Sequence, residues 1–228
     1  MTKEFTMRTK ALALGAILAV LFSTSAAVAL AGHRARRATV DITTVHDQSL
    51  ELVGQVTNSP PGVTPATSVQ YGYLAYLRGL PIFTGDPQSE KTALFTFYVQ
   101  TTTTRVISNG PMKMISREGA MTIYRDPSPN GNFSAPDSFR DGTPILVVGL
   151  RQQVVVDTLT GGFSTLNLNT VMSSSAFPAG SGQLQLGQPG DKFKTILNGH
   201  LNASAPPSGY FAGYTISAGD PPGKAKRH

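Results

Sequence analysis

The sequence predicts an all-β domain that closes as a single antiparallel barrel of about eight strands, following an N-terminal signal peptide. Three observations predict it. Period-two alternation in Val, Ile, Thr, Tyr and Phe recurs along the chain, broken by Gly, Pro and Asn, and helical periodicity is hard to find. Several of the alternating runs are long, and long strands tilt and wrap easily around a small barrel. The runs are linked mainly by hairpin-type connections, so the sheet has edges to hide, and closure hides them. A β-sandwich is the alternative architecture for the same pattern.

The chain opens on Lys3, Arg8 and Lys10, followed by an uncharged apolar run over residues 11–22 and a small-residue stretch over 23–31. That stretch ends in two overlapping A-x-A sites, Ala27-Val28-Ala29 and Ala29-Leu30-Ala31. Residues 1–31 therefore read as a signal peptide cleaved near Ala29 or Ala31, which makes the protein secreted or periplasmic. The rival is an uncleaved N-terminal helix acting as a membrane anchor, because roughly 20 apolar residues span a bilayer. Cysteine is absent, which excludes disulfide staples, thiolate chemistry and lipidation of a lipobox.

Residues 32–67 form a basic tail with short strand candidates at 40–45 and 50–56, then a loop over 58–67 carrying Pro60, Pro61 and Pro65. The barrel domain is expected over 68–218. Its strands fall at 69–77 and 92–106, where Phe95, Phe97 and Val99 share a face, and at 112–125 after the hairpin dipeptide Asn109-Gly110. A proline- and asparagine-rich loop reaches Pro144. Strands over 145–158 and 163–172 follow, joined by a tight turn at Gly161-Gly162. In the first, Leu146, Val148, Leu150, Val154 and Val156 make an apolar face; in the second, Leu166, Leu168 and Met172 do. Residues 176–191 read as a Gly/Pro loop, 193–201 and 210–216 as the last strands, and 219–228 as a disordered basic tail.

The pI near 9.7 invites a nucleic-acid reading until the charges are located. Of 19 Lys and Arg, three lie in residues 1–31, three in 34–37 and three in 224–227. That leaves 10 against 12 Asp and Glu between Ala38 and Gly223, a net of −2 for the folded body. No cluster of Arg and Lys interleaved with aromatics occurs there, so no nucleic-acid partner is expected. The basic tails give one alternative function, weak tethering to an anionic envelope or polysaccharide.

The stretches LFTFYVQ (94–100), REGAMTIYRDP (117–127) and LRQQVVVDTLTGGF (150–163) lie within a middle region, residues 71–201, that resembles small secreted β-barrels. These are of the calycin and allene-oxide-cyclase-barrel type, a group that includes dirigent-like proteins. The likeness is one of pattern, most similar to uncharacterised bacterial secreted proteins with the same order of strands, hairpins and loops. It implies the fold and export. No counterpart of the cyclases' active-site motif is present, so the resemblance transfers no catalytic residue.

Two groups of residues point to chemistry. Gln152 is the polar exception on the 146–156 apolar face, and Glu118 shares a face with Met112, Met114, Ala120 and Tyr124. A carboxylate in such surroundings would serve as an acid or base; the bland reading is cross-strand pairing with arginine or an outward turn. Tyr73, Phe95, Phe97, Tyr98 and Tyr124 would line a ligand cavity, or simply fill the interior. The second group is the loop after Tyr124. Counted from Asp126, oxygen-bearing side chains fall at positions 1, 3, 5, 7, 9 and 12, with glycine at 6. This is calcium-loop spacing, with Asp126, Ser128, Asn130 and Asp137 as ligands. Pro127, Pro129 and the strand-like flanks favour a plain connection instead. No other cofactor is expected. The leading expectation is a non-catalytic barrel, either a structural module or a binder of a small apolar ligand. A cofactor-free isomerase or cyclase using Glu118 with a tyrosine is the alternative.

Overall fold

Residues alternate between a buried and a more exposed face along four of the long barrel strands, the period-two pattern of a half-buried strand. The computed structural model describes residues 38–40, 49–203 and 208–217. Residues 1–37, 41–48, 204–207 and 218–228 lie outside the described residues, and with them the expected signal peptide, the arginines at 34–37 and the C-terminal basic tail. The strands are β1 (Ala38–Val40), β2 (Leu50–Asn58), β3 (Thr67–Leu77), β4 (Phe95–Asn109), β5 (Met112–Arg125), β6 (Thr143–Asp157), β7 (Gly162–Ser174), β8 (Phe177–Ala179), β9 (Gly182–Leu186), β10 (Lys192–Leu201) and β11 (Ser208–Ser217). A short 3-10 turn spans Pro136–Phe139.

Eight of these strands close a barrel in the order β2-β3-β4-β5-β6-β7-β10-β11, with β11 returning to β2. Each neighbour is antiparallel, so the chain winds up and down around the barrel. Closure excludes the sandwich. The turn residues act as the sequence implies: Gly110 and Gly161 adopt φ of 54° and 78°, a region that favours glycine.

Two expectations are corrected. Residues 176–191 are not merely a loop, since they hold β8 and β9, which form a three-stranded sheet with β1, β9 running parallel to it. These strands are too short for periodicity to reveal, and Phe177 and Leu186 anchor them by packing into the core, with the Phe177 ring 5.5 Å from Phe95. On β7 the buried set is Phe163-side: Thr165, Asn167, Asn169 and Val171 face inward, whereas Leu168 and Met172 are exposed. A partly polar interior inverts the usual sign of the pattern there.

The two ends of the barrel differ. At the end where β2 begins and β3 stops, Leu50, Leu74, Leu77, Phe95, Ile123 and Phe193 fill the interior under the small sheet. Midway, Gly54 and Gly72 sit opposite one another, flanked in register by Phe211 and Phe97. A Cβ on Gly54 would lie 2.5 Å from the Tyr71 carbonyl oxygen, 2.7 Å from the Phe211 ring and 2.9 Å from the Phe97 ring. The glycines thus make room for two rings that cross the bore.

Gly54→Ala is expected to destabilise the barrel by roughly 1–3 kcal/mol through overpacking against those rings. Chemical denaturation checks this; an unchanged midpoint would mean that the rings move aside freely.

Candidate ligand pocket

At the opposite end, where the β2–β3, β4–β5, β6–β7 and β10–β11 connections lie, the interior is incompletely filled. A pocket of about 60 Å³, counted where the centre of a water-sized sphere fits, opens there towards solvent. Its wall is apolar, formed by Val56, Val154, Val156, Phe163, Leu197 and Phe211, with Ile115 and Leu201 at the rim. Asn58, Gln70, Arg117, Gln152 and Thr165 supply its polar surface.

The polar groups are ordered by one another. Gln152, 1% exposed, accepts a hydrogen bond from Gln70 Nε2 (3.2 Å) and donates one to Asn167 Oδ1 (3.0 Å). Its Oε1 thereby faces the Arg117 guanidinium, whose Nη1 reaches it at 3.5 Å, the long limit of a hydrogen bond. Arg117 Nη2 donates to Asn58 Oδ1 at 2.8 Å. Arg117 Nε is buried without an acceptor. Among the described residues no carboxylate pairs with Arg117, and none lines the pocket. Desolvation holds the guanidinium down to about 10, so it stays charged at neutral pH.

Of the residues singled out from sequence, only Gln152 reaches this pocket. Phe95 and Phe97 point inward but are packed into the filled part of the core. Glu118 is exposed on the outside of the barrel, between Thr102 and Arg151 in the ladder, and makes no ion pair among the described residues. The face it shares with Met112, Met114 and Tyr124 is real, but it is the outer face; simple alternation sends Ile115, Arg117, Met121 and Ile123 inside. Glu118 instead borders an open hollow of about 700 Å³ on the outer sheet, with Arg151, Lys192 and Lys194.

Tyr73, Tyr98 and Tyr124 also point outward. Tyr71 and Tyr73 pack against Phe133 and Phe139 of the loop between β5 and β6, the Tyr71 and Phe139 rings 5.5 Å apart. Arg140 lies 4.8 Å over the Tyr98 ring. Tyr73 and Tyr98, read as part of a cavity lining, therefore clasp a loop to the barrel wall. Burial pushes the Tyr73 phenol up, reinforced by Glu90, and burial also raises Tyr98 against the opposing effect of Arg140. Both phenols remain protonated at neutral pH.

In that loop three of the four residues spaced like calcium ligands have local side-chain partners, Ser128 takes part through its backbone N–H, and Asp126 Oδ2 is buried without a partner. Asp126 Oδ1 accepts the Ser128 N–H (2.9 Å), Asn130 Nδ2 donates to Asp141 Oδ2 (2.7 Å), and Asp137 pairs with Arg140 (2.9 Å). These are local turn contacts, ordinary for Asx residues in a long β-connection. No group of three or more His, Asp or Glu placed to hold a metal occurs among the described residues.

Asn58, Gln70 and Arg117 were not legible as site residues. Arg117 carried a signal all the same, since it alternates with Ile115, Gly119, Met121 and Ile123 and stands opposite Gln152 in the ladder. The fold and pocket define an eight-stranded up-and-down barrel with one apolar, cationic mouth. Comparison of the chain with protein-family models, curated proteins and solved structures gives no match.

A buried charge without a countercharge costs stability. That cost is present at every pH below about 10 and is relieved only as the pH rises from there towards the ordinary arginine range. Arg117→Met is expected to raise stability by on the order of 1–3 kcal/mol in urea unfolding at neutral pH. A clear loss of stability would show that the guanidinium is compensated.

Proposed function

We propose that the protein is a secreted, non-catalytic barrel that binds a small, mainly apolar molecule in the pocket at its hairpin end. The supporting observation is a water-accessible pocket with a continuous apolar wall and a small set of mutually oriented polar groups at one side. Barrel mouths are a recurrent place for ligand sites, and this one is well below the roughly 300–1,000 Å³ that holds a drug-sized ligand. Its size limits the ligand. One water needs roughly 10–15 Å³ by this measure, so the pocket takes a small molecule or the end of a longer one. An isomerase built on Glu118 and a tyrosine lacks comparable support, because those side chains lie on the outside of the barrel.

1-Hexanol is a suitable neutral probe. Saturation-transfer NMR is expected to show its alkyl protons in contact with the wild-type protein. Ile115→Trp and Leu201→Trp, at the half-buried rim, are expected to remove that signal while keeping the β-sheet circular dichroism. A signal undiminished in both folded variants would contradict the pocket as the binding site.

A further inference from the structure

We infer that the ligand carries an anionic group, a carboxylate, and that Arg117 is its anchor. This inference rests on the pocket reading above and specifies the ligand class. A guanidinium offers five N–H donors in a planar fork and no acceptor. Here one terminal nitrogen is well bonded to Asn58 Oδ1, another touches Gln152 Oε1 at long range, and Nε–H has nothing to bond. The side chain is 9% exposed, so bulk water does not serve that donor. Buried arginine is ordinarily paired with a carboxylate, often through two parallel hydrogen bonds. The body of this chain has more acidic than basic residues, yet among the described residues none is placed on this one.

The residues around Arg117 hold the guanidinium ready for an acceptor. The Gln70–Gln152–Asn167 chain fixes Gln152 with its carbonyl oxygen towards the cation and its amide group turned away. Asn58, at the end of β2, holds Nη2 from the other side. Both partners are neutral, so the positive charge survives in a low-dielectric wall, where it acts more strongly than at a surface. Next to it run Val56, Val154, Leu197 and Phe211, which give a hydrated inorganic ion no polar contacts. An amphipathic monocarboxylate satisfies both halves: the carboxylate meets Arg117 and the alkyl part follows the apolar wall towards the mouth.

The test compares hexanoate, 1-hexanol, acetate and chloride by NMR titration at neutral pH, on the wild-type protein, Arg117→Met and Arg117→Lys. Hexanoate is expected to bind wild type about 10- to 100-fold more tightly than 1-hexanol, the range of a charge-assisted hydrogen-bonded contact. Acetate and chloride should bind more weakly than hexanoate, for want of an apolar part. Arg117→Met should abolish the preference for hexanoate over 1-hexanol, read as the ratio of the two affinities within each variant, and Arg117→Lys should retain part of it. Equal affinities of hexanoate and 1-hexanol for wild type, or a preference that persists in Arg117→Met, would overturn the anionic assignment and leave the pocket reading standing. Chloride or acetate binding as tightly as hexanoate would overturn the amphipathic ligand. Absence of binding by both hexanoate and 1-hexanol would overturn the pocket reading itself.

Discussion

The inside of this molecule exists because β11 pairs with β2. That seam joins strands from opposite ends of the described chain, and it continues past the last ladder pair through the Thr215 hydroxyl. Thr215 Oγ1 accepts the backbone N–H groups of Ser49 (3.2 Å) and Leu50 (3.0 Å). Without the seam, the up-and-down sheet would keep two open edges and the inward faces would lie in water. With it, eight strands enclose a bore only wide enough for side chains to fill. Every residue facing inward then competes for a fixed volume. The glycines at 54 and 72 are the local answer to that constraint, and they admit the rings of Phe97 and Phe211.

The same enclosure divides the interior electrostatically. One end is capped by the small sheet and filled with Leu, Ile and Phe, a conventional core. The other holds a polar row across β3, β6 and β7, where each amide orients the next, and Arg117 beside it. Such groups add little net stability, and a buried cation without a countercharge subtracts from it. A structural barrel would be better served by an apolar residue at position 117. The arrangement is therefore most economically understood through something that enters from outside.

Much of the fold was legible because hairpin signals and period two are local. The 112–125 strand and the alternating face of β6 follow directly from residue spacing, as does the inward position of Gln152. What could not be read was which face of a mixed strand turns inward. On β5, both alternating sets mix apolar and charged residues: Met112, Met114 and Tyr124 stand with Glu118 on one, and Ile115, Met121 and Ile123 with Lys113, Arg117 and Arg125 on the other, so composition does not say which turns inward. On β7 the inward set is mostly Thr and Asn, and the aliphatic residues lie outside. Pairing between strands decides these cases, and no single strand contains that information. Tyr73 misled for a related reason, since it and the buried Tyr71 pack against a loop folded over the barrel and not into its interior.

The central claim is that position 117 places a positive charge inside the barrel with no carboxylate of the described residues beside it. The most direct measurement is the ammonium pKa in Arg117→Lys, read by NMR of the side-chain Cε and Nζ in the ligand-free protein. A lysine ordinarily titrates near 10.4, and desolvation without a partner lowers that value. The account predicts a clearly depressed pKa that rises when hexanoate is added. An ordinary or elevated value in the free protein would mean that the charge is solvated or already paired, and would contradict it.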